Sequence, residues 1–267
     1  MRTLASALSL VGREALRIVL PSWCVACERE LPWRDRKASC CADCWANLPK
    51  IDGPKCESCA LPMPQLRVAG SELRELSPES DESLATRNSQ PATLCISCLA
   101  NPLPLEWCDA WGEYRGSLER LLGALKFERH DFLDDALASL LEETLRARGD
   151  LAFDAIAAVP MAPAKERRRG YNQADLLGRA LARRVGVRCD MTLLRRAEER
   201  AMQSTLPKRE RAANVRGAFA APSRVKGKSI LVVDDICTTG ETLRACATAL
   251  LREGAGRVCA ITVAKAS

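Results

Sequence analysis

The chain has 267 residues, of which 47% are apolar, and its formal net charge is +6. This length suits one ordinary domain together with a smaller one, and the apolar content is sufficient for a packed core. No apolar stretch is both long enough and free enough of charge to span a membrane. Its 14 cysteines would suit a disulfide-bonded secreted scaffold only in a much smaller chain, so we expect a reducing, cytoplasmic environment.

The first 20 residues are predicted to form an amphipathic helix. Six apolar residues recur at helical spacing and share one face: Leu4, Leu8, Val11, Ala15, Ile18 and Val19. A targeting peptide is the alternative, but its apolar run, 4–11, is short and is interrupted by Gly12, Arg13 and Glu14.

Eight of the cysteines form four Cys-x-x-Cys pairs within 75 residues. These pairs are Cys24/Cys27, Cys41/Cys44, Cys56/Cys59 and Cys95/Cys98. One such turn presents two thiolates to a single metal ion, and two turns complete a tetrahedral Zn²⁺ shell. We therefore expect one or two structural zinc ions, whose binding supplies folding free energy to this part of the chain.

The pairing of the cysteines stays open at this stage. Sequential pairing gives one site from the first two pairs and another from the last two, whereas interleaved pairing is the alternative. Cys40 competes with Cys41 as a ligand, although only Cys41 keeps the common spacing to Cys44. An iron–sulfur cluster and ligands that have lost their metal are the other interpretations, and a redox pair would compete with a single Cys-x-x-Cys turn taken alone. A catalytic zinc is disfavoured because four thiolates leave no open coordination position.

The pattern of the chain predicts two domains after the N-terminal helix. Residues 21–108 contain all four cysteine pairs, interrupted by an acidic, Pro/Ser-rich stretch at 65–94 that has no periodicity and is predicted to be a disordered loop. In 109–267, apolar strands alternate with helical periodicity, which predicts an α/β domain with a mainly parallel sheet flanked by helices. The predicted strands are 110–114, 154–159, 230–233 and 257–263, and the predicted helices are 118–127, 132–146, 173–185 and 242–253.

Positive charge is concentrated in one segment of this second domain. From Lys165 to Lys228 the chain has 18 Lys and Arg against 6 Asp and Glu. Such an excess indicates an anionic ligand, either a phosphate compound or a nucleic acid. The densest parts are 165–169 and 200–216, and their alternative interpretations are a solvated basic turn and a charged surface helix, respectively.

Residues 230–243 read ILVVDDICTTGETL, in which a buried strand leads into two adjacent carboxylates. The Thr-Thr-Gly turn and the helix start that follow provide backbone N–H groups and hydroxyls, which together form a cradle for a phosphate. The two acids do not suit a phosphate but do suit the neighbouring hydroxyls of a ribose, so the stretch predicts a phosphorylated ribose. Helix capping by the acids is the alternative, although capping requires only one acid.

This stretch resembles the phosphoribosyl-pyrophosphate (PRPP) motif of type I phosphoribosyltransferases at every position, with Cys237 at the variable one. The resemblance implies that the two acids hold the ribose 2′ and 3′ hydroxyls and that the loop holds the 5-phosphate, with Mg²⁺ bound alongside PRPP. The residues to which these roles are carried are Asp234, Asp235, Cys237, Thr238, Thr239, Gly240, Glu241 and Thr242.

Two further stretches, VPMAPAKERRRGYNQADLLGRALA at 159–182 and RAMQSTLPKRERAANVRGAF at 200–219, together with the cysteine pairs, resemble the ComF family. The resemblance implies a zinc-ribbon segment joined to a phosphoribosyltransferase-like domain, a link to DNA uptake in natural transformation, and other competence proteins as partners. The implied pyrophosphate loop comprises Lys165, Arg167, Arg168, Arg169 and Gly170. The implied lid contributes Gln203, Arg209, Arg211 and Asn214.

Two functions are compatible with these features. The first is a phosphoribosyltransferase that uses PRPP and Mg²⁺, for which the sequence identifies neither an acceptor pocket nor a catalytic residue; the single histidine, His130, is interpreted as a loop residue. The second is a PRPP-responsive, non-enzymatic protein that binds single-stranded DNA. An aromatic content of 4% argues against base stacking as its main source of affinity, so phosphate neutralisation would dominate.

Overall fold

The computed structural model describes residues 23–31, 39–63, 94–127, 133–197 and 218–266. The helix predicted at 1–20, the lid residues within 200–216, His130 and almost all of the acidic stretch at 65–94 lie outside the described residues, and the expectations for them stay predictions.

A four-stranded parallel sheet forms the centre of the second domain, which confirms the predicted α/β class. Its strand order is β1-β6-β5-β2, and a two-stranded antiparallel ribbon pairs β3 with β4. The strands are β1 (Cys108–Glu113), β2 (Ala155–Ala158), β3 (Arg195–Arg196), β4 (Phe219–Ala220), β5 (Ser229–Cys237) and β6 (Arg257–Lys265).

Helices cover both faces of this sheet. Helices α3, α4 and α6 pack on one face and α7 packs on the other. The described helices are α1 (Ala42–Ala46), α2 (Ile96–Ala100), α3 (Gly116–Phe127), α4 (Leu133–Arg148), α5 (Pro163–Arg169), α6 (Gln173–Val185) and α7 (Glu241–Arg252), with a short 3-10 helix at Ser223–Val225. Within the described ranges, no helix combines the length and apolar character needed to cross a bilayer.

The alternation of side chains along β5 explains the two-faced core. Leu231 and Val233 pack with leucines of α3, α4 and α6 on one face. Ile230 and Val232 pack with α7 on the other. All four are fully buried, and burying each such side chain contributes about 1.5–3 kcal/mol. A strand buried on both faces reads as a continuous apolar run, which is why this segment was recognisable in the sequence.

Strand β5 is longer than predicted. The sequence placed its end at Val233, before the acids, whereas the strand continues to Cys237. The reason is a tertiary one: β6 extends to Lys265, and its residues Thr262, Ala264 and Lys265 pair with the last part of β5. The acid pair therefore belongs to a strand and is held by the sheet.

The basic stretch 165–169 also differs from its predicted form. A loop or turn was predicted here, whereas these residues belong to helix α5. Pro163 occupies the first turn, where its missing N–H costs nothing, and Gly170, at φ +87°, ends the helix in the left-handed conformation. Their assignment as a loop was wrong, and their proposed contact with pyrophosphate is a separate question.

The cysteine-rich domain covers the outer edge of β1. The backbone N–H of Ile51 donates to the Trp111 carbonyl at 3.0 Å, and that of Glu113 donates to the Pro49 carbonyl at 2.8 Å. These bonds satisfy backbone groups that an open edge would expose. The two domains are thereby joined along a strand.

Candidate functional site

The carboxyl end of β5 and the start of α7 enclose a short exposed loop. Thr238 and Thr239 are exposed, whereas Gly240 is buried and has φ +82°. A Cβ atom at Gly240 would lie 2.9 Å from Leu103 Cδ1, so glycine is required both by backbone conformation and by space. Thr239 Oγ1 accepts a hydrogen bond from the Glu241 N–H, the first of α7, at 3.4 Å. The exposed loop therefore lies at the N-terminus of α7, a position that favours an anion.

The two acids lie before this loop, with their carboxyl groups close together. Asp235 is 5% exposed, and the Lys126 Nζ atom lies 2.8 Å from its Oδ2. The Asp234 Oδ1 atom accepts a hydrogen bond from the Asp235 backbone N–H at 2.9 Å. Burial of the Asp234 carboxyl, and then the negative charge of Asp235, raise the pKa of Asp234 well above its usual range, while Lys126 acts in the opposite direction.

Cys237, at the variable position of the motif, does not point toward the exposed loop. It is 2% exposed, and its Sγ lies 3.7 Å from the Cys59 carbonyl oxygen. The Cys108 thiol lowers the pKa of Cys237 to about 7, burial opposes this shift, and Lys265 supports it. Lys265, at the end of β6, also donates to the carbonyl oxygen of Thr238, and this hydrogen bond anchors the loop to the sheet.

Strand β2 brings the basic helix α5 to the same edge of the sheet. Since β2 is parallel to β5, with Ala158 opposite Val233, the carboxyl ends of both strands lie together. The side chains of α5 that the sequence analysis selected, Lys165, Arg167 and Arg168, are exposed, and Arg169 donates to Gln173.

Asn172, to which no site role was assigned from the sequence, fixes the junction after α5. It caps α6 through a bond from the Ala174 N–H at 3.1 Å, and its Nδ2 donates to the Val159 carbonyl at 3.0 Å. An asparagine directly before a helical pattern is a usable cap signal. Lys126 and Lys265, by contrast, had no local sequence signal.

The cysteines form two clusters, each of four thiols within 4.8 Å of one another: Cys24, Cys27, Cys41 and Cys44, and then Cys56, Cys59, Cys95 and Cys98. This is the sequential grouping. The Cys27–Cys41 and Cys59–Cys95 Sγ distances are both 3.8 Å. Tetrahedral Zn²⁺ with Zn–S bonds of about 2.3 Å requires sulfur atoms about 3.8 Å apart, so both clusters fit the metal. Cys40 belongs to neither cluster.

One thiol of each cluster accepts a hydrogen bond from a backbone N–H group. The Cys41 N–H donates to Cys24 Sγ, and the Cys95 N–H donates to Cys56 Sγ, each at 3.3 Å. Burial opposes ionisation of Cys24, but backbone donors, with that of Cys41 first, outweigh it and lower the pKa of Cys24 to about 6. A thiolate is the form that binds zinc.

The second cluster directly supports the exposed loop. Arg244, in the first turn of α7, donates to the carbonyls of Asn101 and Pro102, each at 2.8 Å. The Leu103 N–H donates to Ser58 Oγ at 2.8 Å, and Leu103 covers Gly240. The segment that carries Cys95 and Cys98 therefore touches the loop at several points.

Comparison with protein families matches both parts of the chain. Residues 173–267 match the phosphoribosyl transferase domain, and residues 15–73 match the double zinc ribbon domain. The first match includes β5, the exposed loop and α7. The second includes the first cysteine cluster and half of the second.

Individual proteins are similar over most of their length. The DNA utilization protein YhgH of Salmonella typhimurium is 36% identical over 174 residues, which cover 64% of this chain and 77% of that protein. Competence protein F of Haemophilus influenzae is 30% identical over 156 residues, which cover 56% of this chain and 68% of that protein. Among solved structures, the allosteric regulatory enzyme of purine biosynthesis is 23% identical with a TM-score of 0.36, over 53% of this chain and 30% of that one.

Proposed function

This chain belongs to the ComF family of competence and DNA-utilization proteins, and we propose that it binds PRPP, together with Mg²⁺, at the carboxyl edge of its parallel sheet. The observation that carries the proposal is the adjacency of two features. An adjacent pair of acids, the partly exposed Asp234 and the buried Asp235, leads directly into the exposed loop at the N-terminus of α7. Ligands of open α/β sheets bind outside the carboxyl ends of the strands.

The two halves of the site suit the two halves of a phosphorylated ribose. The N–H groups of 238–242 and the hydroxyls of Thr238, Thr239 and Thr242 provide donors for the 5-phosphate. The carboxylates are hydrogen-bond acceptors. They repel a phosphate, which is also negatively charged, but they accept hydrogen bonds from ribose hydroxyls. We assign no ligand contact to the Cys237 side chain, because it faces the second cysteine cluster.

The pyrophosphate is assigned to helix α5, in place of a loop. Its exposed Lys165, Arg167 and Arg168 lie on the segment that follows β2, beside the strand that carries the acids. Arginine offers paired donors to phosphate oxygens. The lid residues Gln203, Arg209, Arg211 and Asn214 complete the proposal as groups that close over the bound ligand.

The reaction that this arrangement suits is phosphoribosyl transfer to an acceptor not yet identified. A nucleophile forms a bond to C1 of the ribose while the bond from C1 to pyrophosphate breaks, and the electron pair leaves with pyrophosphate. Positive charge develops on the ribose ring, close to the acid pair. Placement of opposite charge there, with closure of a lid, is a recognised source of catalysis.

Binding of single-stranded DNA is the second candidate. It is favoured by the exposed basic side chains of α5 and by the excess of positive charge between 165 and 228. Both observations predict attraction to a phosphate backbone, with affinity that falls steeply as salt increases.

Release of pyrophosphate distinguishes an enzyme from a binding protein. The purified protein is incubated with PRPP and Mg²⁺, alone and with nucleobases or single-stranded DNA, and pyrophosphate is measured. Release that depends on an added acceptor and is lost in Asp234→Asn with Asp235→Asn supports transferase activity. Tight PRPP binding without release in any mixture supports the binding protein, and absence of both rejects the proposed function.

A further inference from the structure

Lys126 reaches the acid pair from a distant part of the chain. It lies in the last turn of α3, and its Nζ is 2.8 Å from Asp235 Oδ2. The side chains of Lys126 and Asp235 are only 19% and 7% exposed, so water screens this contact weakly. Among the described residues, Asp235 Oδ2 has no aligned hydrogen-bond donor, and the ammonium group is its charged neighbour.

The helix that carries Lys126 is anchored on several sides. Tyr171, at the turn after α5, donates its hydroxyl to the Leu125 carbonyl. Arg120 donates to the Ala26 carbonyl in the first cysteine cluster. The Lys126 ammonium also lies 5.8 Å from the centroid of the Tyr114 ring. These contacts hold the lysine head group beside the acids without any bound ligand.

The charges around Asp234 show what this lysine contributes. Asp235, next to it on β5, carries the like charge that raises the pKa of Asp234 after burial, and Lys126, from α3, lowers it. On the opposite side, α7 presents Cys246, whose thiol is kept neutral because burial raises its pKa. The residue of β6 that pairs with Asp234, Thr262, is uncharged. Lys126 therefore offsets part of the repulsion between the two acids, although the pKa of Asp234 stays above its usual range.

We propose that Lys126 is a positioning residue for ribose recognition: its ammonium group engages one oxygen of Asp235 and allows two adjacent carboxylates to face the same sugar. This inference rests on the proposed function, because it explains how the acid pair is kept ready to accept two hydroxyls. The remaining carboxylate oxygens are then the acceptors, and Lys126 itself contacts the protein and not the sugar.

The test compares three substitutions. Lys126→Met removes the charge, Lys126→Arg keeps it, and Lys50→Met is a matched control that breaks the 2.7 Å Lys50–Glu143 ion pair on the far side of β1. Titration calorimetry with PRPP and Mg²⁺ is carried out from pH 5 to pH 8. We expect Lys126→Met to weaken binding about tenfold or more at pH 7, in keeping with loss of one charged interaction.

The pH profile separates this role from a structural one. Without Lys126, the acid pair retains a proton to higher pH, so the acidic limb of the binding profile moves to higher pH in Lys126→Met. In Lys126→Arg, which keeps the charge, we expect most of the affinity and the parental profile. Lys50→Met is expected to match the parent. Unchanged affinity and profile in Lys126→Met would overturn the proposal, as would an equal loss in Lys126→Arg. If Lys126→Met does not fold, Lys126→Gln takes its place.

A second readout needs no PRPP. Carboxyl carbon NMR of the apo protein follows the titration of Asp234 in the parent and in Lys126→Met. An upward shift of the Asp234 pKa in the variant supports the inference, and identical titration overturns it. Failure of the parent to bind PRPP rejects the proposed function, and this titration then decides the role of Lys126 by itself.

Discussion

Replacing Gly240 with alanine tests whether the exposed loop is held in a conformation that only glycine adopts. At φ +82°, an L-residue costs about 1–2 kcal/mol. The new Cβ would also lie 2.9 Å from Leu103 Cδ1, and since Leu103 is only 5% exposed, this overpacking adds about 1–3 kcal/mol. Gly240→Ala is therefore expected to lower the free energy of unfolding by about 2–5 kcal/mol.

Two other glycines separate these contributions. Gly186 has φ +72° but open space around its Cβ position, so Gly186→Ala isolates the backbone cost. Gly123 lies within α3, also with open space, and Gly123→Ala is expected to raise the free energy of unfolding by about 0.5–1 kcal/mol. The difference between Gly240→Ala and Gly186→Ala then measures the contact with Leu103.

Urea unfolding followed by tryptophan fluorescence gives these free energies, and calorimetry on the folded variants gives the PRPP affinity. Gly240→Ala is expected to weaken PRPP binding, whereas the other two variants bind as the parent does. A Gly240→Ala variant that is no less stable than Gly186→Ala and binds PRPP with unchanged affinity would show that the loop does not require glycine.

Three further predictions concern metal, DNA and pH. Elemental analysis is expected to find about two zinc ions per chain and about one in Cys24→Ser or Cys95→Ser; iron, or no metal, in fresh parent protein would contradict this. Reversing the charge of all three arginines in 167–169 is expected to weaken DNA binding alike for all sequences, and an affinity that does not change with salt would exclude a phosphate-driven mechanism. Burial, and then the charge of Glu166, raise the pKa of Asp175 to about 6 from 3.8. Because the folded state prefers the protonated carboxyl, the contribution of Asp175 to stability is present below about pH 4 and is lost as the pH rises through 6. Asp175→Asn is therefore expected to stabilise the fold by about 1–3 kcal/mol at pH 7 but not at pH 4, as measured by urea unfolding, and equal effects at the two pH values would rule this out.

The elements that could be predicted from sequence are those that local pattern specifies. Helix α6 begins and ends at the predicted residues, because Asn172 and Gly186 flank a clear apolar periodicity. The four strands of the parallel sheet were found from short apolar runs. The zinc ribbon was found because each Cys-x-x-Cys turn is local, and only the grouping of the turns required the folded chain.

The features that could not be predicted depend on contacts between distant residues. The extension of β5 through the acids requires β6 as a partner. The pairing of Lys126 with Asp235 requires α3 to pack beside the carboxyl end of β5, and the burial of Cys237 requires the second cysteine cluster. Helix α5 is different, since Pro163 and Gly170 are sequence signals of helix boundaries that the prediction of a loop did not use.

Asp234 and Asp235 are proposed to bind the ribose of PRPP. Calorimetric titration with PRPP and Mg²⁺ tests this role most directly, comparing the parent, the double variant Asp234→Asn with Asp235→Asn, and the control Asp52→Asn at an exposed site in the cysteine-rich domain. Losing a hydrogen bond to a charged acceptor costs roughly 1.5–3 kcal/mol, which is about a ten- to hundredfold loss of affinity for each acid. We expect at least a tenfold loss of PRPP affinity in the double variant and none in the control. A double variant that binds PRPP as tightly as the parent would contradict the account and show that the two acids are structural.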